Sequence, residues 1–352
     1  AEVEKKNANY SQIRTLNIPR RMELSPKDTI STTWLVCSPE TVGRFSGVAY
    51  FFARKVYEET NIPIGIINSS WGGTIVETWT SLEAANTLPQ KRLDRYNKNE
   101  KLSPPTEYFT RTNKEAKRND YPSLVYNAMI HPLLSFAIKG VVWYQGENNV
   151  GNAEPYTDWL TCMISDWRNR WNSELPFYII QLPNFDSTNK TPLWAEIRDA
   201  QRKVLTVPKT HLIVTSDLGD PHDLHPRNKQ EVGMRVALQV LHHEYGRPDI
   251  VSESPMFERM EINGDKIIIT FKNTGSGLEI RSRYGCLQGF TIAGEDKKFY
   301  WAQGELKDNR IVIWNPKVPN PIAVRYNWEN NPDGNLYNKD GLPACLFRTD
   351  NW

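Results

Sequence analysis

Apolar and polar positions along the chain keep one rhythm to about residue 247 and another after it. Before that point, short apolar runs alternate with stretches whose apolar residues recur every three or four positions. Residues 45–59 carry Val48, Ala49, Phe52, Val56 and Tyr57 at helical spacing, and residues 156–171 carry Trp159, Leu160, Met163, Ile164 and Trp167 in the same way. Helices are also predicted over 126–136, 194–205 and 226–243, the last opened by Pro226. Between them lie apolar runs at 63–68, 139–144, 177–181 and 211–215, each short enough for a strand buried on both faces. A further short strand is expected at 13–18 inside an otherwise polar, irregular stretch to residue 40, and the charged stretch 82–120 reads as surface loop or short helices. Alternating strands and helices predict an α/β fold, a parallel sheet with helices on both faces over residues 1–247.

After Tyr245-Gly246-Arg247-Pro248 the period shortens. Strands at 266–270, 290–292, 310–314 and 322–326 are separated by turn signals such as Asn263-Gly264-Asp265 and Lys307-Asp308-Asn309. Residues 248–352 are therefore expected to form a second, mostly antiparallel β unit. No internal repeat is present.

Composition narrows this picture only a little. The chain has 352 residues, 39% of them apolar, which suits a globular protein, and its net charge of +2 gives no reason to expect nucleic acid or an anionic membrane as partner. No apolar run approaches the roughly 18 residues of a membrane span. The first residues, Ala1-Glu2-Val3-Glu4-Lys5-Lys6, lack the apolar core of a signal peptide, so no targeting segment is expected within this chain. Cys37, Cys162, Cys286 and Cys345 are far apart and form no C-x-x-C pair, which argues against zinc; a Cys286–Cys345 bridge inside the β unit is conceivable. Twelve Trp and fifteen Tyr stand out, several beside polar motifs (Trp71, Trp79, Trp143, Tyr144, Trp194), where flat rings suit either a sugar face or a core.

The candidate chemistry collects where predicted strands end. Asp217-Leu218-Gly219-Asp220-Pro221-His222-Asp223-Leu224-His225 follows the strand at 211–215, Asn68–Thr74 follows the strand at 63–68, and Gln145-Gly146-Glu147-Asn148-Asn149 follows the strand at 139–144. In a parallel sheet these loops share one edge, where ligands of open α/β sheets bind. His225 is then the expected general base, with Asp223 or Asp220 fixing its tautomer. Gly72 and Gly73 let main-chain N–H groups approach a developing oxyanion, and Gln145 and Asn148 add amide donors. A metal held by Asp217, Asp220, His222, Asp223 and His225 is a competing reading. So is a glycosidase pair of Glu147 with an aspartate.

The motifs Asn68-Ser69-Ser70-Trp71-Gly72-Gly73-Thr74 with Glu77 and Trp79, then Trp143-Tyr144-Gln145-Gly146-Glu147-Asn148-Asn149, then His225-Pro226-Arg227-Asn228-Lys229-Gln230, resemble the sialate O-acetylesterases of the SGNH hydrolase superfamily. The resemblance runs from about residue 10 to the C-terminus, including Gly341-Leu342-Pro343-Ala344. It implies a flavodoxin-like hydrolase domain that removes acetyl groups from carbohydrates by a serine mechanism with no metal or other cofactor, in a secreted or periplasmic setting. Sialic acid 9-O-acetyl esters lead as substrate, with acetylated xylan or pectin behind them. By position, His225 matches the base, Gly72 or Gly73 an oxyanion N–H, and Gln145 an oxyanion side chain, while Trp71, Glu147 and Asn148 fall on the substrate side. Asp223 precedes Asp220 as the third member.

One departure is substantial: the Gly-Gln-Ser-Asn-Met block that carries the family's nucleophile does not occur in this chain. Ser69 and Ser70 are the serines left in a strand-end motif, and a non-catalytic carbohydrate-binding protein becomes the alternative function. The strands at 64–68 and 141–144 are then expected to flank a gap, filled by another copy or segment, filled by residues 1–20, or left poorly ordered.

Overall fold

The structure is a computed structural model that describes residues 2–105, 120–186, 191 and 193–352. Its contacts group into two compact units that interleave along the chain: residues 1–179, 203–211 and 229–237 in the first, and 180–202, 212–228 and 238–352 in the second.

In the first unit, strand β1 (Tyr10–Asn17) pairs antiparallel with β2 (Trp34–Cys37) and parallel with β3 (Ile64–Asn68), in the order β2-β1-β3. The parallel register runs from Ile13 opposite Ile64 to Asn17 opposite Asn68, and Asn68 Nδ2 donates to Asn17 Oδ1 at 3.0 Å, tying the two strand ends. The polar start of the chain thus holds two paired strands where one short strand was expected. The additional strand is β2, an edge strand in which Trp34 and Val36 are exposed, Leu35 is half-buried and Cys37 is buried, so only one of its faces is covered.

Helix α1 (Gly47–Thr60) covers this sheet with Val48, Tyr50, Ala53 and Val56. Ser46 caps it by accepting from Ala49 N–H, and Asn61 ends it in the left-handed region at φ 55°. Helix α4 (Lys229–Glu244) comes so close to α1 that a Cβ at Gly233 would lie 2.7 Å from the Val48 carbonyl oxygen, a fit open to glycine alone.

A second, all-parallel sheet has the order β4 (Val141–Trp143), β5 (Phe177–Ile180), β6 (Thr210–Ile213). Helix α2 (Ala153–Trp171) buries Tyr156, Trp159, Leu160, Met163, Ile164 and Trp167, as its spacing predicts. Among the described residues β3 pairs only with β1, and β4 only with β5. Among the described residues the parallel strands thus lie in two separate sheets, and residues 10–17 pair with β2 and β3 and not with β4.

The helix expected over 126–136 is a π-helical turn (Tyr126–Ile130) followed by a 3-10 turn (His131–Leu133). Pro132 has no N–H to continue an α-helix, so a regular helix fails there despite the apolar spacing. Helix α3 (Leu193–Lys203) and α4 fall within a few residues of expectation, although α4 starts three residues after Pro226. Short helical turns at Leu82–Ala85 and Gln90–Leu93 occupy the charged stretch, whose residues 106–119 lie outside the described ones.

The second unit carries the predicted antiparallel strands. One sheet has the order β12 (Gln303–Lys307), β13 (Arg310–Trp314), β8 (Lys266–Lys272), β7 (Met256–Asn263), another the order β11 (Phe299–Trp301), β10 (Phe290–Ala293), β14 (Ala323–Tyr326), β16 (Phe347–Arg348), and β9 (Leu278–Ile280) pairs antiparallel with β15 (Leu336–Asn338). Their inward residues, including Ile267, Ile269, Ile292, Ile313, Val324 and Phe347, form one core. Both turn signals hold. Gly264 sits at φ 60° in the β7–β8 loop, and Asp308 and Asn309 both adopt left-handed backbone between β12 and β13. All four cysteines are free thiols, so the Cys286–Cys345 bridge is not formed: Cys286 is exposed, while Cys345 is buried and accepts from Gln181 Nε2.

Candidate functional site

Two of the three strand-end loops meet in the first unit through buried hydrogen bonds. After β3, the chain turns at Gly72-Gly73, with Gly73 at φ 80°. A side chain at Gly73 would be strained there, and a Cβ at Gly72 would meet nothing within 4 Å, so the turn is open on that side. Thr74 Oγ1 staples the turn by donating to the Trp71 carbonyl (2.8 Å) and accepting from Trp79 Nε1 (2.9 Å).

The loop after β4 reaches across to this turn. Gln145 Nε2 donates to the Thr74 carbonyl at 3.0 Å and to Asn149 Oδ1 at 2.8 Å, while Asn148 Nδ2 bonds the Gly73 carbonyl. Asn149 Oδ1 also accepts from Val76 N–H (3.1 Å), and Asn149 Nδ2 donates to Glu77 Oε2 (3.0 Å). Tyr156 OH donates to Gln145, with 3.2 Å to both its main-chain and side-chain oxygens. Gln145 is 9% exposed, and Glu77 and Asn149 only 1% each, so the network runs out of reach of bulk water. Burial raises the Glu77 carboxyl above the ordinary carboxylate range, against the opposing pull of the Asn149 amide. Both hydrogens of Gln145 Nε2 are engaged inside the protein, and Asn148 is the exposed amide beside Gly73.

Tyr144 and Glu147 flank this pair of loops. Burial, then the Glu147 charge, raises the Tyr144 phenol above its usual value, and Lys229 Nζ lies 5.4 Å from the Tyr144 ring centre. The serines of the turn are held elsewhere. Ser70 Oγ donates to Asn68 Oδ1 at 2.7 Å and Ser69 Oγ to the Met129 carbonyl at 3.1 Å. An amide oxygen is a poor proton acceptor, so Ser70 as placed is not activated. The prominent tryptophans mostly serve the core: Trp79 meets Trp143 edge-on at 6.0 Å, and Trp143 meets Trp167 at 6.1 Å. Trp71 remains partly exposed on the turn.

The Asp/His loop after β6 belongs to the second unit. A Cβ at Gly219 would lie 2.0 Å from the Asn184 carbonyl oxygen and 2.2 Å from its side-chain oxygen, which accepts from Gly219 N–H at 2.6 Å. Asp220 Oδ1 accepts from His222 N–H and Asp223 Oδ1 from His225 N–H, both at 2.8 Å. These are side chains capping their own turns two residues on. Asp223 therefore holds the main chain of His225, and the His225 side chain is exposed. Asp217 opens the loop, accepts from Tyr337 OH at 3.4 Å, and lines a cavity of about 350 Å³ with Ser216, Arg281, Asp333 and Tyr337.

The sequence did not single out Thr74, Val76 or Tyr156, and noted Glu77 only as part of a motif. Nothing in a run of residues signals that a main-chain carbonyl will be the partner of a distant amide. The mixing of polar and apolar residues over Thr74–Ser81, all of them buried, is the one clue.

A family profile described as carbohydrate esterase, sialic acid-specific acetylesterase, matches residues 36–242. A sialate O-acetylesterase of Rattus norvegicus is 29% identical over 301 residues, 72% of this chain and 54% of that protein. The Homo sapiens sialate O-acetylesterase is 30% identical over 290 residues, 74% of this chain and 52% of that protein. The chain thus spans about half the length of these curated relatives. A crystal structure of a carbohydrate acetylesterase from Xanthomonas citri superposes with a TM-score of 0.88 at 36% identity, covering 100% of this chain and 76% of that one.

Proposed function

This chain belongs to the carbohydrate esterase family of sialic acid-specific acetylesterases, and from that membership we propose that it hydrolyses acetyl esters on carbohydrates. The observation that carries the proposal is the locked pair of loops, in which Gln145 and Asn148 hold the carbonyls of Thr74 and Gly73. Those bonds fix the peptide planes that carry the N–H groups of Thr74 and Ile75, and the Trp71 carbonyl, held by Thr74 Oγ1, fixes the plane that carries Gly72 N–H, so the turn offers the pre-aimed donor a tetrahedral acyl intermediate needs.

In this reading a serine hydroxyl attacks the acetyl carbonyl and His225 takes its proton. The negative oxygen is received by Gly72 and Gly73 N–H, with Asn148 as side-chain donor and Gln145 holding the turn in shape. His225 returns the proton to the departing sugar oxygen, then activates the water that releases acetate. Asp223, before Asp220, orients His225. Ser70 is the candidate nucleophile within the turn, and must leave Asn68 Oδ1 to act. Trp71 and Glu147 are assigned to the sugar side. Residues 1–247 form the hydrolase domain of this proposal and 248–352 its β unit. The chain takes no metal or other cofactor, acts in a secreted or periplasmic setting, and can self-associate along the open edges of β3 and β4. Among the described residues no helix is long and apolar enough to cross a membrane.

Sialic acid 9-O-acetyl esters are the first substrate class, from the family description. A second reading, neutral acetylated glycans such as xylan, draws support from the cavity beside Asp217. Asp217 and Asp333 both line it, and its cation Arg281 already pairs with Glu279 at 2.7 Å, so a sugar carboxylate there meets like charge.

Acetate release from 9-O-acetylated sialic acid and from acetylated xylan, by wild type, Ser70→Ala and His225→Ala, tests the proposal. Release lost in His225→Ala supports catalysis. Equal background rates in wild type and His225→Ala would leave a carbohydrate-binding protein, the alternative class.

A further inference from the structure

We propose that Glu77 is a positioning residue for the ester-cleaving turn: through Asn149 it dictates which way two buried amides face, and thereby holds the Gly72–Thr74 main chain in its working shape. The inference rests on the esterase reading above.

The sense of the network follows from the one member that can only donate. Val76 N–H, 3.1 Å from Asn149, must face the amide oxygen, so Asn149 Nδ2 faces Glu77 Oε2 at 3.0 Å. The same Asn149 oxygen accepts from Gln145, which selects the nitrogen end of that side chain at 2.8 Å. Gln145 then has its second hydrogen on the Thr74 carbonyl at 3.0 Å and its oxygen toward Tyr156 OH at 3.2 Å. One carboxyl and one main-chain N–H thus settle which way the Asn149 and Gln145 amides face.

Removing the Glu77 acceptor leaves Asn149 no easy escape. Rotating its amide by half a turn would set Nδ2 against Val76 N–H, donor on donor, and would break the bond from Gln145. Leaving it in place buries a donor with no acceptor, an expense a protein interior rarely tolerates. In the first case Gln145 loses its partner outright, and in the second it leans on an amide whose orientation nothing on the Glu77 side fixes, so the Thr74 carbonyl is held less firmly. The groups facing the Glu77 carboxyl are Asn149, the Tyr96 phenol and the Arg95 charge. A glutamine amide oxygen offers Asn149 Nδ2 the same acceptor as the Glu77 carboxyl oxygen.

The test compares Glu77→Gln, Glu77→Ala and wild type, using kcat and KM for p-nitrophenyl acetate together with hydrogen exchange of the Gln145 side-chain amide by NMR. For Glu77→Gln, kcat stays within about twofold and the amide remains protected. For Glu77→Ala, kcat falls on the order of 10- to 100-fold with KM little changed, as for a misplaced catalytic loop, and the Gln145 amide exchanges rapidly. A Glu77→Ala protein that keeps both kcat and protection overturns the proposal. So does a Glu77→Gln protein as impaired as Glu77→Ala. Should Glu77→Ala not fold, Glu77→Gln alone decides, because loss of protection or of kcat in that folded protein is incompatible with a relay that needs only an acceptor oxygen at position 77. If wild type itself matches His225→Ala in rate, the esterase reading fails, while the amide exchange still reports whether Glu77 orders Gln145.

Discussion

Gln145 Nε2 lies 3.0 Å from the carbonyl oxygen of Thr74, so a side chain on the loop after β4 sets a peptide plane on the loop after β3. Across a trans peptide the carbonyl and the following N–H point in opposite directions. Pinning the Thr74 carbonyl therefore aims the N–H of Ile75 and fixes the last peptide plane of a turn that Thr74 Oγ1 staples from within. Gln145→Leu keeps the bulk and removes both donors. Its kcat for p-nitrophenyl acetate is expected to fall by about 100-fold, in the range for a lost oxyanion contact, with unchanged circular dichroism. A fall of less than about threefold would show that the turn holds its shape alone.

His225→Ala should lower acetyl-ester turnover by at least about 1,000-fold if the imidazole is the base. The two candidate orienters separate in a parallel experiment. Asp223 caps the His225 main chain at 2.8 Å, whereas Asp220 caps His222 at the same distance. Asp223→Asn is accordingly expected to cost more activity than Asp220→Asn. The reverse order would move the orienting role to Asp220.

Gly219 is the tightest glycine of the Asp/His loop, since any Cβ would lie 2.0 Å from the Asn184 carbonyl oxygen. That oxygen is main chain and cannot swing aside. Gly219→Ala should destabilise the protein by about 3 kcal/mol, the upper range for overpacking, measured by urea denaturation. A change under about 0.5 kcal/mol would mean that the loop relaxes freely.

Glu77 should leave a signature in the pH dependence of stability. Burial raises its carboxyl in the folded chain, so folded protein keeps a proton that unfolded protein gives up. Its contribution is then fully present below the unfolded carboxyl value of about 4.3 and is lost as pH rises through the folded value. Glu77→Gln cannot titrate, so its melting temperature relative to wild type should climb from acid to neutral pH. A difference that stays flat across that window would show that Glu77 is ionised in the folded state.

Much of the architecture is determined by the sequence alone, because period and burial are local properties. The 3.6-residue rhythm of 156–171 and the apolar runs at 64–68 and 177–180 specify their elements before any partner is known, and Asn263-Gly264-Asp265 specifies a tight turn because glycine accepts φ 60°. Local rhythm misled where a covalent constraint overrode it, as Pro132 did to the helix expected over 126–136, and it missed the edge strand β2. The motif residues Gly72, Gly73, Gln145 and Asn148 were legible too, as types of chemistry at the ends of strands. What only the tertiary structure decided is how they are used. Gln145 donates its hydrogens to Thr74 and Asn149, Asp223 accepts from the main chain of its own turn, and Glu77 faces Asn149 across 72 positions of sequence. Hydrogen bonds act over about 3 Å of space without regard to separation along the chain. Their pairing is settled only once packing has brought β3 and β4 to the same unit and excluded the water that would otherwise serve as every partner.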